Sequence, residues 1–200
     1  RRYAIAPQAV LHGHAPLPGR PARPVLRRHT QVARRSPASL QGRAVLMHAI
    51  AHIEFNAINL ALDAIWRFAG MPAAHYLDWL QVAGEEGKHF LLIDAWLQQH
   101  GFAYGDFPAH QGLWSMCEKT AEDITARMAL VPRTLEARGL DATPQIQLKL
   151  QKLGSDDALE ASKIIAQSAW YQRSSVNGDA LYRSMMRRAN RSRYSINCSA

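Results

Sequence analysis

Residues 85–90 read EEGKHF, and two of them, Glu86 and His89, stand three apart in an otherwise apolar stretch. Trp79, Leu80, Val82 and Ala83 precede them; Phe90, Leu91, Leu92 and Ile93 follow. On a helix, positions i and i+3 share a face, so the carboxylate and the imidazole point the same way. Glu54 has a similar setting: its neighbours at helical spacing are Ile50, Ala51, Ala57 and Ile58. A buried carboxylate is costly unless it is protonated, paired or metal-bound. Two glutamates and a histidine on adjacent helices share that cost if they converge on a cation. A glutamate on one helix and Glu-x-x-His on the next form half of a bundle-core di-metal site. Carboxylate plus imidazole suits iron, with manganese as the alternative. The short Glu-x-x-His pattern alone equally fits a Glu–His hydrogen bond on a half-exposed face, and the position of Glu54 on a core stripe is what favours metal.

Other polar residues nearby are set apart from this trio. Glu85 fits either a supporting partner or a solvated side chain. His48 and His52 form an i, i+4 pair, but His52 is two residues from Glu54 and so points elsewhere. The loop at 102–114, with Tyr104, Asp106, His110 and Trp114, fits either a cover over the site or a packed connector.

Helices must position these residues. Ser36-Pro37 predicts a helix start, and an apolar stripe from Met47 through Ile65 carries it to about Phe68, where Gly70-Met71-Pro72 breaks it. A second helix spans about Pro72 to Gln99 and closes at His100-Gly101. A third helical region is expected over 111–138, kinked or unwound at Pro132 and stopped at Gly139. Thr143-Pro144 predicts a short helix ending at Gly154, and Ser155-Asp156-Asp157 caps a last one to about Arg173. Nothing alternates as strand. The expected fold is all-α, a four-helix antiparallel bundle over 37–173. It is preceded by an extended Pro/Arg-rich arm at 1–36 and followed by a basic tail at 174–200.

The charge divides along the same lines. Of 24 Lys and Arg, nine lie in residues 1–43 and six in 173–200, whereas only one of 16 acidic residues lies in those two segments. Residues 44–172 therefore hold nine basic and fifteen acidic side chains, a net of −6, so the formal +8 of the whole chain belongs to its ends. Such ends allow weak nucleic-acid contact, while the acidic middle argues against an extended basic groove. No membrane partner is expected, because the most apolar region, 44–66, is interrupted by His48, His52, Glu54, Asn56, Asn59 and Asp63. No leader pattern is read in the first residues. Two distant cysteines, Cys117 and Cys198, predict no disulfide framework and favour a cytoplasmic location.

The stretches HAIAHIEFNAINLALDAIWRF, MPAAHYLDWLQVAGEEGKHF, YGDFPAHQGLW and MALVPRTLEARGLDATP, with PGRPARP before them, resemble the bacterial ferritin-like family catalogued as domain of unknown function 455. The resemblance covers roughly residues 18–165. It implies membership of the di-iron carboxylate superfamily, with a ligand layout similar to that of a tRNA-modifying di-iron monooxygenase. The implied ligands are a glutamate, a Glu-x-x-His, another glutamate and a second Glu-x-x-His. Glu54, Glu86 and His89 match the first half, and Glu136 matches the third-helix glutamate. The last pair is where this chain departs: Ser168 and Tyr171 stand where a glutamate and a histidine are implied. From Ala166 onward the family pattern is lost, which fits either an altered, out-of-frame ending or ordinary terminal divergence.

Two functional readings follow. In the first, a di-iron centre activates oxygen to oxidise or hydroxylate a small-molecule or nucleoside substrate, with Glu54, Glu86, His89 and Glu136 as metal ligands. In the second, the chain is a non-catalytic metal-binding or scaffold bundle, an inactive family member that holds one metal or none. The substrate and the oligomeric state are left open.

Overall fold

The computed structural model describes residues 5–12, 18–32 and 35–174, with side chains along the helices described except at 131–141 and 168–174. Among these residues, five α-helices follow one 3-10 turn at His29–Gln31: α1 Leu40–Arg67, α2 Ala73–Gln99, α3 Gly112–Lys119, α4 Ile124–Leu153 and α5 Asp156–Ser174. Among the described residues there is no strand, only an isolated parallel bridge between Leu26 and Ala109. The molecule is all-helical, as its periodicity predicts.

Local chemistry sets the helix ends. Ser39, rather than Ser36, caps α1: its Oγ accepts from the Gly42 amide at 3.1 Å, satisfying a donor that has no partner within the helix. Ser36 instead accepts from the Ala38 amide, closing a turn ahead of the helix. The α1–α2 turn is tied by Tyr76, whose hydroxyl donates to Phe68 O and accepts from the Met71 amide. The α4–α5 turn uses Gly154 at φ +69°, the left-handed position that favours glycine after a helix.

The region from 111 to 154 corrects two expectations. The third helical region does not run unbroken from 111 to 138; it is split at 120–123, where Asp123 accepts from the Thr125 and Ala126 amides and starts a new helix. That helix then continues through Pro132, Gly139 and Pro144 to Leu153, so no separate helix starts at Thr143. Each proline forfeits one backbone hydrogen bond. Packing outweighs that loss, because α4 is anchored near one end by the buried Arg127 and Met128 and near the other by the buried Thr143 and Leu150.

The connectivity follows from a few contacts. Helices α1 and α2 form one hairpin; α4 and α5 form another. The segment between the hairpins starts beside the N-terminal half of α1, where Tyr104 meets His52. It climbs past Leu60, which shares a core with Trp114, to Asp63, which accepts from the Cys117 thiol. Helix α4 therefore begins near the C-terminal half of α1, where Arg127 meets Asp63, and nears its end where Leu150 joins the core containing Ala44 and Met47. An ion pair between Arg43 and Asp157 fastens the start of α5 to the start of α1.

Besides the small core of Leu60, Trp114 and Cys117, two larger apolar cores result among the described residues. One gathers Ala44, Met47, Ala51, Ile93, Trp96, Leu97, Leu150 and three α5 residues; the other gathers Ala61, Ala64, Met71, Tyr76, Trp79 and Met128. On α1 the gap between them falls at residues 52–59, and on α2 at 84–89. Glu54, Glu86 and His89 lie in that gap, a polar layer between two dry ones.

By length and composition α1 meets the criterion for a membrane-spanning helix, which corrects the expectation that its polar residues break the run. Here His48, His52, Glu54, Asn56 and Asp63 are all buried against the rest of the chain, as suits a core helix.

Candidate metal centre

The carboxylate oxygens of Glu54 and Glu86 and a ring nitrogen of His89 all lie within 4.8 Å of one another. His89 Nδ1 is 3.3 Å from Glu86 Oε2 on its own helix and 4.0 Å from Glu54 Oε2 across the α1–α2 interface. Glu54 and His89 are buried, at 5% and 8% exposure, and Glu86 is half-buried. Ligand atoms sharing one ion at about 2.1 Å lie at most about 4.2 Å apart. Movements of roughly half an ångström would thus place all three around one cation, and hard carboxylate oxygens with an imidazole fit a divalent first-row metal.

The structure brings together the three residues that periodicity singles out. Glu136 lies on α4, and Ser168 and Tyr171 on α5; the side chains of all three are outside the described residues. The tail at 175–200 is outside them too. Glu85 accepts a hydrogen bond from Gln81 at 3.0 Å.

His48 and His52 do point away from the trio, toward the loop after α2. Gly105 N–H donates to His48 Nε2 at 2.9 Å, so the proton of that ring is on Nδ1. His52 Nε2–H donates to His110 O at 3.1 Å, leaving Nδ1 to accept from the Tyr104 hydroxyl at 2.8 Å. Burial pushes both histidines down to about 4, since charging either ring would cost its hydration. The N-terminal arm closes over the same loop: Ala109 N–H donates to Val25 O and Arg27 N–H donates to Ala109 O. Gly105, at φ +110°, permits this approach; a Cβ there would stand 2.9 Å from the Arg23 Cβ.

A second polar cluster escapes motif reasoning. Arg127, 1% exposed, donates to Asp63 Oδ2 at 2.5 Å, to Thr120 Oγ1 at 2.7 Å and to Cys117 O at 2.7 Å. Arg67 donates to Asp63 from one helical turn away, and the Cys117 thiol donates to the same carboxylate at 3.2 Å. Burial pushes Asp63 up, but the bonds from Arg67, Arg127 and Cys117 outweigh it and hold the carboxyl below its usual range. Burial likewise pushes the Cys117 thiol up to about 12. The available signal was Arg127 between Ala126 and Met128 with Asp63 inside the apolar region 44–66, but pairing residues 64 positions apart needs the fold.

An all-helical chain whose interior holds a carboxylate–histidine cluster is the class defined so far. The chain belongs to the DUF455 family, described as protein of unknown function, whose model matches residues 3–168. The match takes in the arm and stops close to where the family pattern fades in the sequence. An uncharacterized protein of Haemophilus influenzae is 55% identical over 137 residues, covering 65% of this chain and 48% of its own length. This chain thus spans about half the length of that relative. No solved structure matches it.

Proposed function

We propose that this chain is a ferritin-like four-helix metal protein whose centre is held by Glu54, Glu86 and His89, with Glu136 as a fourth ligand. The observation that carries this reading is the meeting of two glutamates and a histidine from α1 and α2 within 4.8 Å, in a polar layer between two apolar cores. The long connection between two helical hairpins is the kind of crossover that ferritin-like bundles use. Glu136 enters this reading through the family pattern, as the third-helix glutamate of the implied ligand set.

Iron is the proposed metal, and manganese the alternative. When bound, iron supplies oxygen-activating redox chemistry, which in the intact family would serve oxidation or hydroxylation of a small-molecule or nucleoside substrate. The chain's own residues supply the rest: two carboxylates balance the cation's charge, His89 orients toward both, and the flanking apolar layers limit water. A cytoplasmic setting suits this chemistry.

A second reading is favoured by one sequence observation. Ser168 and Tyr171 are poor replacements for a carboxylate and an imidazole, so this chain would hold one metal firmly and act as a non-catalytic binding or scaffold bundle. Anaerobic loading with Fe(II), followed by metal analysis and exposure to oxygen, separates the two. Two irons per chain with an oxygen-sensitive absorption band support the oxygenase; one iron without it supports the bundle. Absence of iron, and of manganese when that is loaded instead, sinks the metal reading.

A further inference from the structure

Tyr104 sits where four rings converge. Its ring centroid is 5.2 Å from that of His48 and 5.5 Å from Phe55, both on α1, and 5.0 Å from Phe90 on α2; His52 is the fourth, at 6.1 Å. Phe55 and Phe90 also approach each other, at 5.9 Å. Phe55 directly follows Glu54, and Phe90 directly follows His89. The three aromatic rings thus form a triangle at the level of the cluster, with one corner on each helix and the third on the loop.

The third corner is fixed from several directions. The Tyr104 hydroxyl donates to His52, its amide donates to Asp94 Oδ1, and the next amide donates to His48. Asp106 accepts from the Ala103 amide at 2.8 Å, and the arm pairs with Ala109. A loop held at so many points cannot let its ring drift without breaking buried hydrogen bonds.

We infer that Tyr104 is a positioning residue for the metal centre: wedged against Phe55 and Phe90, its ring sets the spacing of α1 and α2 where Glu54 must meet Glu86 and His89. The Glu54–His89 approach crosses between the helices and is longer than the Glu86–His89 approach within α2, at 4.0 Å against 3.3 Å; Glu54 and Glu86 also meet across the interface. A change in helix spacing therefore acts on Glu54 first, while Glu86 and His89 keep their common helix. The inference rests on the metal reading above. It extends that reading from the ligands to a residue 50 positions from Glu54 in the chain.

The test is Fe(II) affinity of the full chain, measured anaerobically by chelator competition, alongside thermal unfolding of the metal-free protein. Tyr104→Phe keeps the ring and loses the bond to His52; Tyr104→Ala removes the wedge. Expected are a loss of about 10- to 100-fold in affinity for Y104A, the range seen when residues that orient metal ligands are removed, and a loss of about fivefold or less for Y104F. Equal affinities in all three proteins, with Tm lowered in Y104A, would overturn the inference and leave Tyr104 a packing residue. Wild-type protein that takes up no Fe(II), and no manganese put in its place, would overturn the metal reading and this inference with it. If Y104A fails to fold, Tyr104→Val, which keeps a short apolar side chain but leaves no ring between Phe55 and Phe90, takes its place with the same expected loss.

Discussion

Asp63 and Glu54 are both buried carboxylates on α1, about two and a half helical turns apart, and their surroundings are opposite in kind. Around Asp63 two guanidiniums and a thiol converge on one carboxylate, from the same helix, from α3 and from α4. Around Glu54 a second carboxylate and one imidazole converge, both from α2. The first arrangement brings positive charge to a negative group and locks three helices in register. The second gathers two carboxylates about one imidazole, which reaches Glu86 at hydrogen-bond distance, and carboxylates with an imidazole suit a cation from outside the chain. Burial alone does not distinguish a structural polar cluster from a binding site; the sign of what converges does.

That contrast can be broken first at the lock. Asp63→Ala leaves Arg127 buried without its carboxylate, and a loss of about 3–5 kcal/mol in urea unfolding is expected. Iron affinity of the remaining folded protein should stay near wild type. A loss below about 1 kcal/mol would show that the cluster is not a lock.

The opposite pattern is expected at the centre. Glu86→Gln should lower Fe(II) affinity by roughly 100-fold or more, because an amide oxygen is a far weaker ligand than a carboxylate. The metal-free protein should keep its stability or gain slightly, since one of two like charges is removed. Destabilisation comparable to that of D63A would make the trio a structural cluster after all.

Acid should act on the loop after α2 that packs beside Glu54's end of α1. His48 is held neutral in the fold, at about 4 against 6.5 in the unfolded chain, despite the opposing pull of Asp106; Tyr104 and Phe107 are the rings packed against it, and His52 lies one turn away. The unfolded state then binds more protons between those values, so stability falls as pH drops from about 6.5 toward 4. His48→Gln should reduce that slope by about one proton's share, leaving the share of His52, in urea midpoints measured between pH 7.5 and 5. An unchanged slope would remove His48 from the account.

The smallest effect is expected from Cys117→Ser. The hydroxyl can donate to Asp63 as the thiol does, and the smaller atom costs some packing, so a change within about 1 kcal/mol is expected in the same unfolding assay. A much larger loss would mean that sulfur packing, not the arginines, holds the cluster together.

The sequence by itself determined the helical class, the first two helices to within about three residues, and three residues of the centre. These are local properties: periodicity places Glu54, Glu86 and His89 on apolar stripes, and a 27- or 28-residue amphipathic run leaves little choice of structure. The second half of the chain was less legible. Pro132, Gly139 and Pro144 argue locally for breaks, yet α4 runs through all three, because packing at both ends of a helix can outweigh the preferences of its middle. Ser36 and Ser39 are equally good caps by composition, and only the backbone path chose Ser39. Tertiary structure alone decided what stands next to each buried polar group: Arg127 beside Asp63, Tyr104 beside His52 and between Phe55 and Phe90. Those pairings span 64, 52, 49 and 14 positions, and no periodicity reaches across a crossover. Residue types along one helix announce that something polar is buried; the folded chain decides whether it meets a guanidinium or another carboxylate.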